Sequence, residues 1–195
     1  MAVPKLVDHD ERRRAITAAT WRLIAARGID AANMRDIATE AGYTNGALSH
    51  YFAGKDEILR TAFEHVFEAT NRRIDEALGE ATGFEALRIF CREVMPTTDE
   101  TLLEARIAVS LWQRAMYDEH MDETNRRSLV SWRTRMAEFL EQARAEGDAG
   151  DFDVDLAVET LLNMMMGMQI LGVLTPDDTT ADRQFEMLDR FIAQL

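Results

Sequence analysis

The sequence predicts an all-α protein of about nine helices, with a small N-terminal three-helix domain followed by a longer helical bundle. Only three prolines occur, at positions 4, 96 and 176, so long segments contain no strong helix breaker. Apolar residues in these segments recur every three or four positions, which is typical of helices with one buried face, whereas strands alternate. We predict helices at roughly these ranges: 9–27, 34–41, 45–52, 56–79, 83–95, 100–118, 121–146, 153–173 and 180–194.

Glycine and proline stand where several of these helices are predicted to end. Gly28, Gly42 and Gly147 follow predicted helices, and glycine readily takes the left-handed conformation that closes a helix. Pro96 and Pro176 follow two others, and proline cannot continue the helical hydrogen bonding. The local signals therefore agree with the apolar spacing.

Cysteine content and hydropathy bear on the compartment. Cys91 is the single cysteine, which excludes an intramolecular disulfide, and no Cys/His pattern has the spacing of zinc ligands. The segment from Met1 to Asp10 is polar, and no stretch approaches the roughly 18 uninterrupted apolar residues of a membrane span. We therefore expect a cytoplasmic protein that has no membrane partner.

Charge is distributed unevenly along the chain. The net charge is −13, yet residues 1–55 contain eight Lys/Arg against six Asp/Glu, while residues 56–195 contain 14 against 29. The balance changes near Gly54 and Lys55, where a long helix is predicted to begin. We therefore predict two domains, 1–55 and 56–195, and interpret the acidic part as a solvated surface.

The segment from Asn33 to Lys55 has the pattern of two short helices joined by a sharp turn. Asn33 is a candidate N-cap with Asp36 three residues later, and Gly42 supplies the left-handed turn. Thr44 can cap a second helix with two different faces. At 100° per residue, Leu48, Tyr51 and Phe52 point one way, and Gly46, Ser49 and His50 point the other.

The outward face of the second helix suits the major groove of DNA, which makes the segment a candidate helix-turn-helix. Asn45 and His50 can bond base edges, and Gly46 lets the backbone approach. The candidate phosphate contacts are Arg35, Thr44, Ser49, Tyr51 and Lys55. From the spacing alone, an ordinary helical hairpin with a solvated polar face remains an alternative.

The stretch from Arg12 to Leu59 contains a recognisable set of residues: Ile16, Ala19, Ala26 to Gly28, Met34 to Ala38, Ala41, Gly42, Gly46 to Leu48, Phe52, Lys55 and Leu59. With these residues the stretch resembles the N-terminal domain of the TetR family of transcriptional regulators. The family often has Tyr followed by His in its recognition helix, where this chain has Ser49 and Tyr51. The resemblance implies a homodimer that binds an operator in double-stranded DNA and responds to a small-molecule effector.

The remainder of the chain has its own set of characteristic residues: Trp112, Asn125 to Arg127, Trp132, Arg133, Gly147, Asp153, Asp155, Gly167 and those of the closing helix. With these residues it resembles the C-terminal domain of the BetI-like branch of that family. The helix 153–173 is apolar nearly all round, so it needs cover on two sides, and the closing helix offers a second apolar stripe. We expect these two helices from each of two chains to form a four-helix dimer interface.

A small-molecule pocket is expected among the helices that span residues 83–171, although each candidate could equally be plain core. Glu104 and aromatic rings could form a cage for a quaternary ammonium ligand, as the resemblance implies. Arg92 and Arg106 could instead receive a carboxylate. The candidate lining residues are Phe90, Met95, Trp112, Met116, Met136, Phe139 and Met165.

Residue patterns for catalysis and cofactor binding are absent from the sequence. No Glu-x-x-His pair for a di-metal site and no glycine-rich phosphate loop occur. A thioether copper site in the run Met164 to Met168 is disfavoured because consecutive helical residues point in different directions. We expect no enzyme activity and no cofactor. A helical protein-interaction module without specific DNA binding is the alternative function.

Overall fold

The computed structural model describes residues 9–28 and 32–195, and the prediction for Met1 to Asp8 lies outside them. Within these ranges all of the regular secondary structure is α-helical. The helices are α1 (His9–Arg27), α2 (Met34–Ala41), α3 (Asn45–Leu48), α4 (Lys55–Leu78), α5 (Gly83–Val94), α6 (Asp99–Ala115), α7 (Glu119–Glu146), α8 (Val154–Leu174) and α9 (Ala181–Ile192).

The all-helical prediction is confirmed, and most of the helix ends fall within two residues of the predicted positions. Gly28, Gly42 and Gly147 have φ values of 81°, 74° and 83°, in the left-handed region that favours glycine. Two helices end three or more residues earlier than predicted, α3 at Leu48 and α6 at Ala115. The earlier end of α6 changes where Met116 lies, whereas Ser49 and His50 stay exposed and Phe52 stays buried after the end of α3.

The chain divides into two compact units, and the division falls inside α4. The first unit ends at Val66 and the second runs from Phe67 to Leu195. This division lies further along the chain than the predicted one at residue 55. The first turns of α4 belong to the first unit because Ile58 and Ala62 are buried there.

The first unit is a three-helix arrangement completed by the start of α4. α1 packs against α2, and α2 packs against α3. Their buried apolar side chains supply the core that holds the short α3 in place. These residues are Ile16, Ala19, Leu23, Ile24, Ile37, Ala38, Leu48 and Phe52.

The second unit is a helical bundle around one apolar core. α5 packs against α7 and α9, while α6, α7 and α8 pack against one another. Cys91 lies inside this core, and burial raises the pKa of its thiol to about 12. The thiol is therefore protonated at neutral pH and poorly nucleophilic.

α8 is long and apolar enough to cross a membrane by length and composition alone, a test that core helices of soluble proteins also pass. It contributes Leu161, Leu162, Met165 and Met168 to the core of the second unit. Its other side carries exposed apolar residues. Within one chain, therefore, only one of the two sides that were predicted to need cover is buried.

Candidate nucleic-acid interface and effector unit

α2 begins at a side-chain cap, as the sequence predicts. The Oδ1 atom of Asn33 accepts hydrogen bonds from the backbone N–H groups of Arg35 (3.1 Å) and Asp36 (3.0 Å). The side-chain amide of Asn33 also donates to the Asp36 carboxylate at 2.7 Å. The cap therefore satisfies two N–H groups of the first turn and fixes the start of the helix that carries Arg35.

The turn between α2 and α3 depends on Gly42. Its positive φ turns the chain sharply, and the backbone N–H of Tyr43 donates to the carbonyl of Ala38 at 2.8 Å. A side chain at position 42 would strain this conformation. The turn places Thr44 at the start of α3, where its hydroxyl oxygen accepts a hydrogen bond from the N–H of Ala47 at 3.3 Å.

α3 has one anchored side and one exposed side. Leu48 and Phe52 are buried in the core of the first unit. After Leu48 the chain continues in tighter turns, because the N–H groups of His50 and Tyr51 bond carbonyls three residues back. The residues left exposed are Thr44, Asn45, Gly46, Ser49 and His50.

Tyr51 lies half-buried beside that exposed side. Its hydroxyl oxygen accepts a hydrogen bond from the Arg12 guanidinium at 2.9 Å, which raises the pKa of Arg12. The rings of His9 and Tyr43 lie 4.7 and 6.5 Å from its own ring. Because the Tyr51 oxygen accepts from Arg12, its own O–H remains able to donate to a phosphate oxygen.

Sequence reasoning missed Arg13, which holds the segment between α3 and α4. Its guanidinium donates to the Tyr51 carbonyl and to Glu57 Oε1 (3.0 Å), and it lies 4.2 Å from the centre of the Phe52 ring. Glu57 also accepts from the N–H of Ala53 at 2.7 Å. The backbone hydrogen bond and then the Arg13 charge lower the pKa of Glu57.

The two remaining candidate phosphate contacts lie at helix starts. Arg35 is exposed in the first turn of α2, and Lys55 is half-buried as the first residue of α4. Both positions place a cation at a helix N-terminus, where the helix dipole also favours a phosphate oxygen. Their contacts with DNA remain predictions.

In the second unit, five of the seven candidate pocket residues lie in one apolar core. Trp112 is partly buried outside that cluster, and Met116 is 67% exposed. Met116 lies at the surface because α6 ends at Ala115, before the predicted end at residue 118. The five clustered residues are Phe90, Met95, Met136, Phe139 and Met165.

Trp132 joins this cluster, although sequence reasoning had not placed it in the pocket. Its ring lies 5.4 Å from that of Phe67 and 5.8 Å, edge to face, from that of Phe90. Its indole N–H donates to Asn71 Oδ1 at 3.1 Å. The sequence does contain a signal for Trp132, because Trp132, Met136 and Phe139 follow the spacing of one helix face.

Both parts of the chain match known protein families. Residues 16–62 match the model of the bacterial regulatory proteins of the tetR family. Residues 84–195 match the C-terminal model of BetI-type transcriptional repressors. The chain belongs to the TetR family.

Relatives of this TetR-family chain carry names of the same kind. It is 31% identical to the HTH-type transcriptional regulator PksA of Bacillus subtilis, over 93% of this chain and 88% of that protein. It is 27% identical to the HTH-type transcriptional regulator BetI of Burkholderia mallei, over 99% and 97% of the two chains. The chain is thus a TetR-family transcriptional regulator with a DNA-binding helix-turn-helix.

Solved structures of such regulators share its fold. A transcriptional regulator from Saccharomonospora viridis in complex with choline has a TM-score of 0.88 at 24% identity, covering 94% of this chain and 96% of that one. A transcriptional regulator from a Rhodococcus species has a TM-score of 0.85 at 22% identity, covering 93% and 94%. Their identities are low, so they support the fold alone.

A polar network in the TetR-family effector unit joins the second half of α4 to α5 and α6. Arg73 donates to both oxygens of Glu104 at 2.8 Å, to the Glu93 carboxylate at 2.8 Å and to the Glu93 carbonyl. Thr70 also donates to Glu104, at 3.1 Å. Hydrogen bonding to Glu104 is the main cause that raises the pKa of Arg73. We call these four residues the Arg73 network.

This network corrects the expectation that Glu104 belongs to a cage for a quaternary ammonium. Both carboxylate oxygens of Glu104 already accept from Arg73 and Thr70, so its charge is compensated. Arg92, a candidate for binding a carboxylate, pairs with Asp189 at 3.2 Å, and Arg106 is exposed. Among residues 9–28 and 32–195, no three His, Cys, Asp or Glu side chains come together as a metal site would require.

Proposed function

We propose that this regulator is a homodimeric repressor that binds a pseudo-palindromic operator and leaves it when a small molecule binds the second unit. The observation that carries the proposal is the exposed polar side of α3, held outward by the buried Leu48 and Phe52. In this proposal Asn45 and His50 bond base edges while the backbone at Gly46 approaches the major groove. Arg35, Thr44, Ser49, Tyr51 and Lys55 bind phosphates and fix the register.

The proposed dimer uses the outward side of α8 together with α9. Leu156, Ile170, Leu171 and Leu174 are 66, 37, 51 and 68% exposed, although apolar side chains favour burial. The same helices of a second copy would cover them in a two-fold symmetric contact. Met168 is buried within its own chain and therefore lies outside the proposed contact.

The proposed release acts through α4. This helix runs from the first unit into the second, and the Arg73 network ties its second half to α5 and α6. A ligand that rearranges α5 or α6 would move the tied helix and change the separation of the two recognition helices, which must be about 34–36 Å to fit successive major grooves. Such a ligand must bind the DNA-incompetent state more tightly.

The proposed effector binds among the core residues that surround Phe90, Met136 and Trp132. Methionine side chains can repack around a ligand, and the aromatic faces of Phe67, Phe90 and Trp132 can attract an organic cation. The choline complex of the related Saccharomonospora viridis regulator supports choline as the first probe. Because Glu104 is compensated by Arg73, the attraction would come from the rings rather than from that carboxylate.

Selection of bound duplexes from a random pool tests the proposed function. We expect enrichment of an inverted repeat, and choline or another effector should lower the affinity for it. Failure to enrich any sequence would favour the alternative, a helical protein-interaction module. Addition of choline to the selected complex then tests the effector separately, because a duplex that is bound but not released contradicts only that probe.

A further inference from the structure

Arg12 lies near the start of α1 and extends its guanidinium to the hydroxyl of Tyr51, which follows the exposed His50. Its side chain is partly exposed, and within the part of the chain that the structure describes it forms no ion pair with a carboxylate. A guanidinium carries five N–H groups, so the bond to Tyr51 leaves the others available. Arg12 is therefore an uncompensated cation beside the exposed side of α3.

Tyr51 is held at both its backbone and its ring. Its carbonyl accepts a hydrogen bond from the guanidinium of Arg13, the next residue of α1. The centre of its ring lies 4.7 Å from that of the His9 ring and 6.5 Å from that of the Tyr43 ring. A side chain that is already held in this way loses little conformational freedom when it binds a ligand. The hydroxyl of Tyr51 is therefore pre-organised.

The hydrogen bond between Arg12 and Tyr51 runs in one direction, because a guanidinium has no acceptor. The phenol oxygen accepts from Arg12 Nη1 at 2.9 Å, so the O–H of Tyr51 must donate elsewhere. Among residues 9–28 and 32–195, that O–H finds no acceptor. An O–H donor and a cationic N–H donor thus lie side by side at the surface. An anion with several acceptor oxygens suits such a pair.

Arg12 carries its charge where its own helix opposes it. The N-terminal end of a helix has a partial positive charge, which makes cations there unfavourable. Arg13 is also close to this end, but it pairs with Glu57 at 3.0 Å. Arg12 has no such partner among the described residues. An anion from outside the chain would compensate its charge.

The acidic residues next to Arg12 point away from Tyr51. His9 and Arg12 are three positions apart and so lie on one face of α1, which is the face that contacts the Tyr51 side chain. Asp10 and Glu11 lie between them in sequence and are exposed on other sides of the helix. An anion bound at Arg12 and Tyr51 would therefore not face these carboxylates directly.

We propose that Arg12 is a DNA contact that acts together with Tyr51, so that the two side chains bind the same backbone phosphate. The guanidinium N–H and the phenol O–H donate to two oxygens of that phosphate. The inference rests on the proposed function, since it takes duplex DNA as the ligand, and it adds a residue of α1 to the contacts proposed for α2, α3 and α4. Because every sequence has phosphates, the contact contributes equally to every duplex.

Binding of the full-length protein to two duplexes, one selected from the random pool and one of unrelated sequence, tests this contact. Arg12→Gln should weaken binding to both by the same factor, about threefold to tenfold. It should also reduce the slope of log affinity against log salt by about one. Arg12→Lys keeps the charge but loses the planar fork, so it should recover the slope and part of the affinity.

Arg22→Gln is the matched control for Arg12→Gln. It removes the same charge from the same helix, ten positions further along and therefore about 15 Å away, where Arg22 pairs with Glu40. We expect its affinity for both duplexes to stay within about twofold of the parent, because salt screens charges at that distance. Equal losses in Arg22→Gln and Arg12→Gln would reduce the effect to overall charge and overturn the proposed contact.

Tyr51→Phe tests whether the two residues share one phosphate, because it removes the O–H and keeps the ring. The double variant with Arg12→Gln should lose less affinity than the product of the two single losses. Losses that multiply would assign the residues to separate phosphates and contradict the shared site. A parent protein that binds neither duplex would overturn the proposed function together with this contact, whereas binding that Arg12→Gln leaves unaltered would overturn the contact alone.

Discussion

His50 is exposed between two buried anchors, Leu48 and Phe52, whereas Lys55 begins the next helix. The two side chains therefore suit different parts of a duplex. An imidazole that faces a base edge distinguishes sequences, whereas an ammonium beside a phosphate does not. Their separate removal tests whether the exposed side of α3 reads bases.

His50→Ala should relax the preference at one operator position by about 1–3 kcal/mol and leave the other positions unchanged. The reason is the loss of one base-edge contact without loss of an anchor. Competition binding with a set of singly substituted operators measures this. Unchanged preference at every position would show that His50 does not read a base.

Lys55→Ala, the contrasting variant, should weaken binding to all sequences alike. It should also reduce the slope of log affinity against log salt by about one. Each phosphate contact releases about one counterion when DNA binds, and this variant loses one such contact. A sequence-dependent loss in Lys55→Ala would contradict its assignment to a phosphate.

Glu57 gives the first unit a pH-dependent stability. Its pKa is lowered in the folded state, so its contribution is present above the unfolded pKa and is lost as the pH falls through the folded value. Glu57→Gln should cost about 1 kcal/mol at neutral pH, and the difference from the parent should vanish in acid. Denaturant unfolding at a series of pH values measures this.

Glu40→Gln is the matched control for Glu57→Gln. Glu40 pairs with Arg22 at 3.3 Å on the exposed surface, with both side chains more than a third exposed. Exposed pairs of this kind contribute little, so we expect a change below about 0.5 kcal/mol at neutral pH. A loss in Glu57→Gln that persists unchanged in acid would contradict the ionic role of Glu57.

At the scale of the helices, the exposed residues of α8 predict where two copies meet. Ile170→Glu combined with Leu174→Glu would place four charges in the proposed dimer contact without partners, at a cost of several kcal/mol. Sedimentation at micromolar concentration should then detect monomers. Both residues are at least one third exposed in the single chain, so the fold of each unit should persist.

Val130→Glu tests the competing position for the interface. Val130 is an exposed apolar residue of α7, and the change introduces one negative charge per chain there, against two in the α8 variant. We expect this variant to remain dimeric. If Val130→Glu separates the copies and the α8 variant does not, the interface lies along α7 instead.

The Arg73 network should stabilise the second unit by joining three helices. Arg73→Met leaves the buried Glu104 without its cation, and because Arg73 is itself partly exposed we expect a loss of about 2–3 kcal/mol, below the value for a fully buried pair. Adding Glu104→Leu should recover much of that loss. Thermal and denaturant unfolding measure both. A double variant that is less stable than Arg73→Met would contradict this account.

The helices were predictable from local signals, while their mutual contacts were not. Asn33, Thr44 and Gly42 act on the residues next to them, so their roles follow from the sequence, and the structure confirms them. Arg73 and Glu104 are 31 positions apart, and no local pattern marks that pair. The same limit applies to Arg13 and Glu57, which face each other only after α1 and α4 fold together.

Errors at two helix ends have different consequences. Continued apolar spacing predicted α3 to run through residue 52, but tighter turns follow Leu48 and still bury Phe52. The same spacing carried α6 to residue 118, and its earlier end leaves Met116 exposed. Periodicity gives the face of a helix more reliably than its last turn.

At the scale of the whole chain, the N-terminal part and the remainder differ in net charge. Residues 1–55 contain a small excess of basic residues, whereas residues 56–195 contain 29 acidic against 14 basic residues. Phosphates repel the acidic part, so affinity for DNA must come from the first unit. One such unit makes few contacts, and high affinity therefore requires two of them on one duplex.

Titration of a full palindromic operator and of its half-site, with the stoichiometry measured, tests this account most directly. We predict that two protomers bind the full site, with an affinity at least about a hundredfold above that for the half-site, because the second head binds intramolecularly. Equal affinity for the two duplexes, or one protomer on the full site, would contradict the account of a dimeric operator-binding regulator.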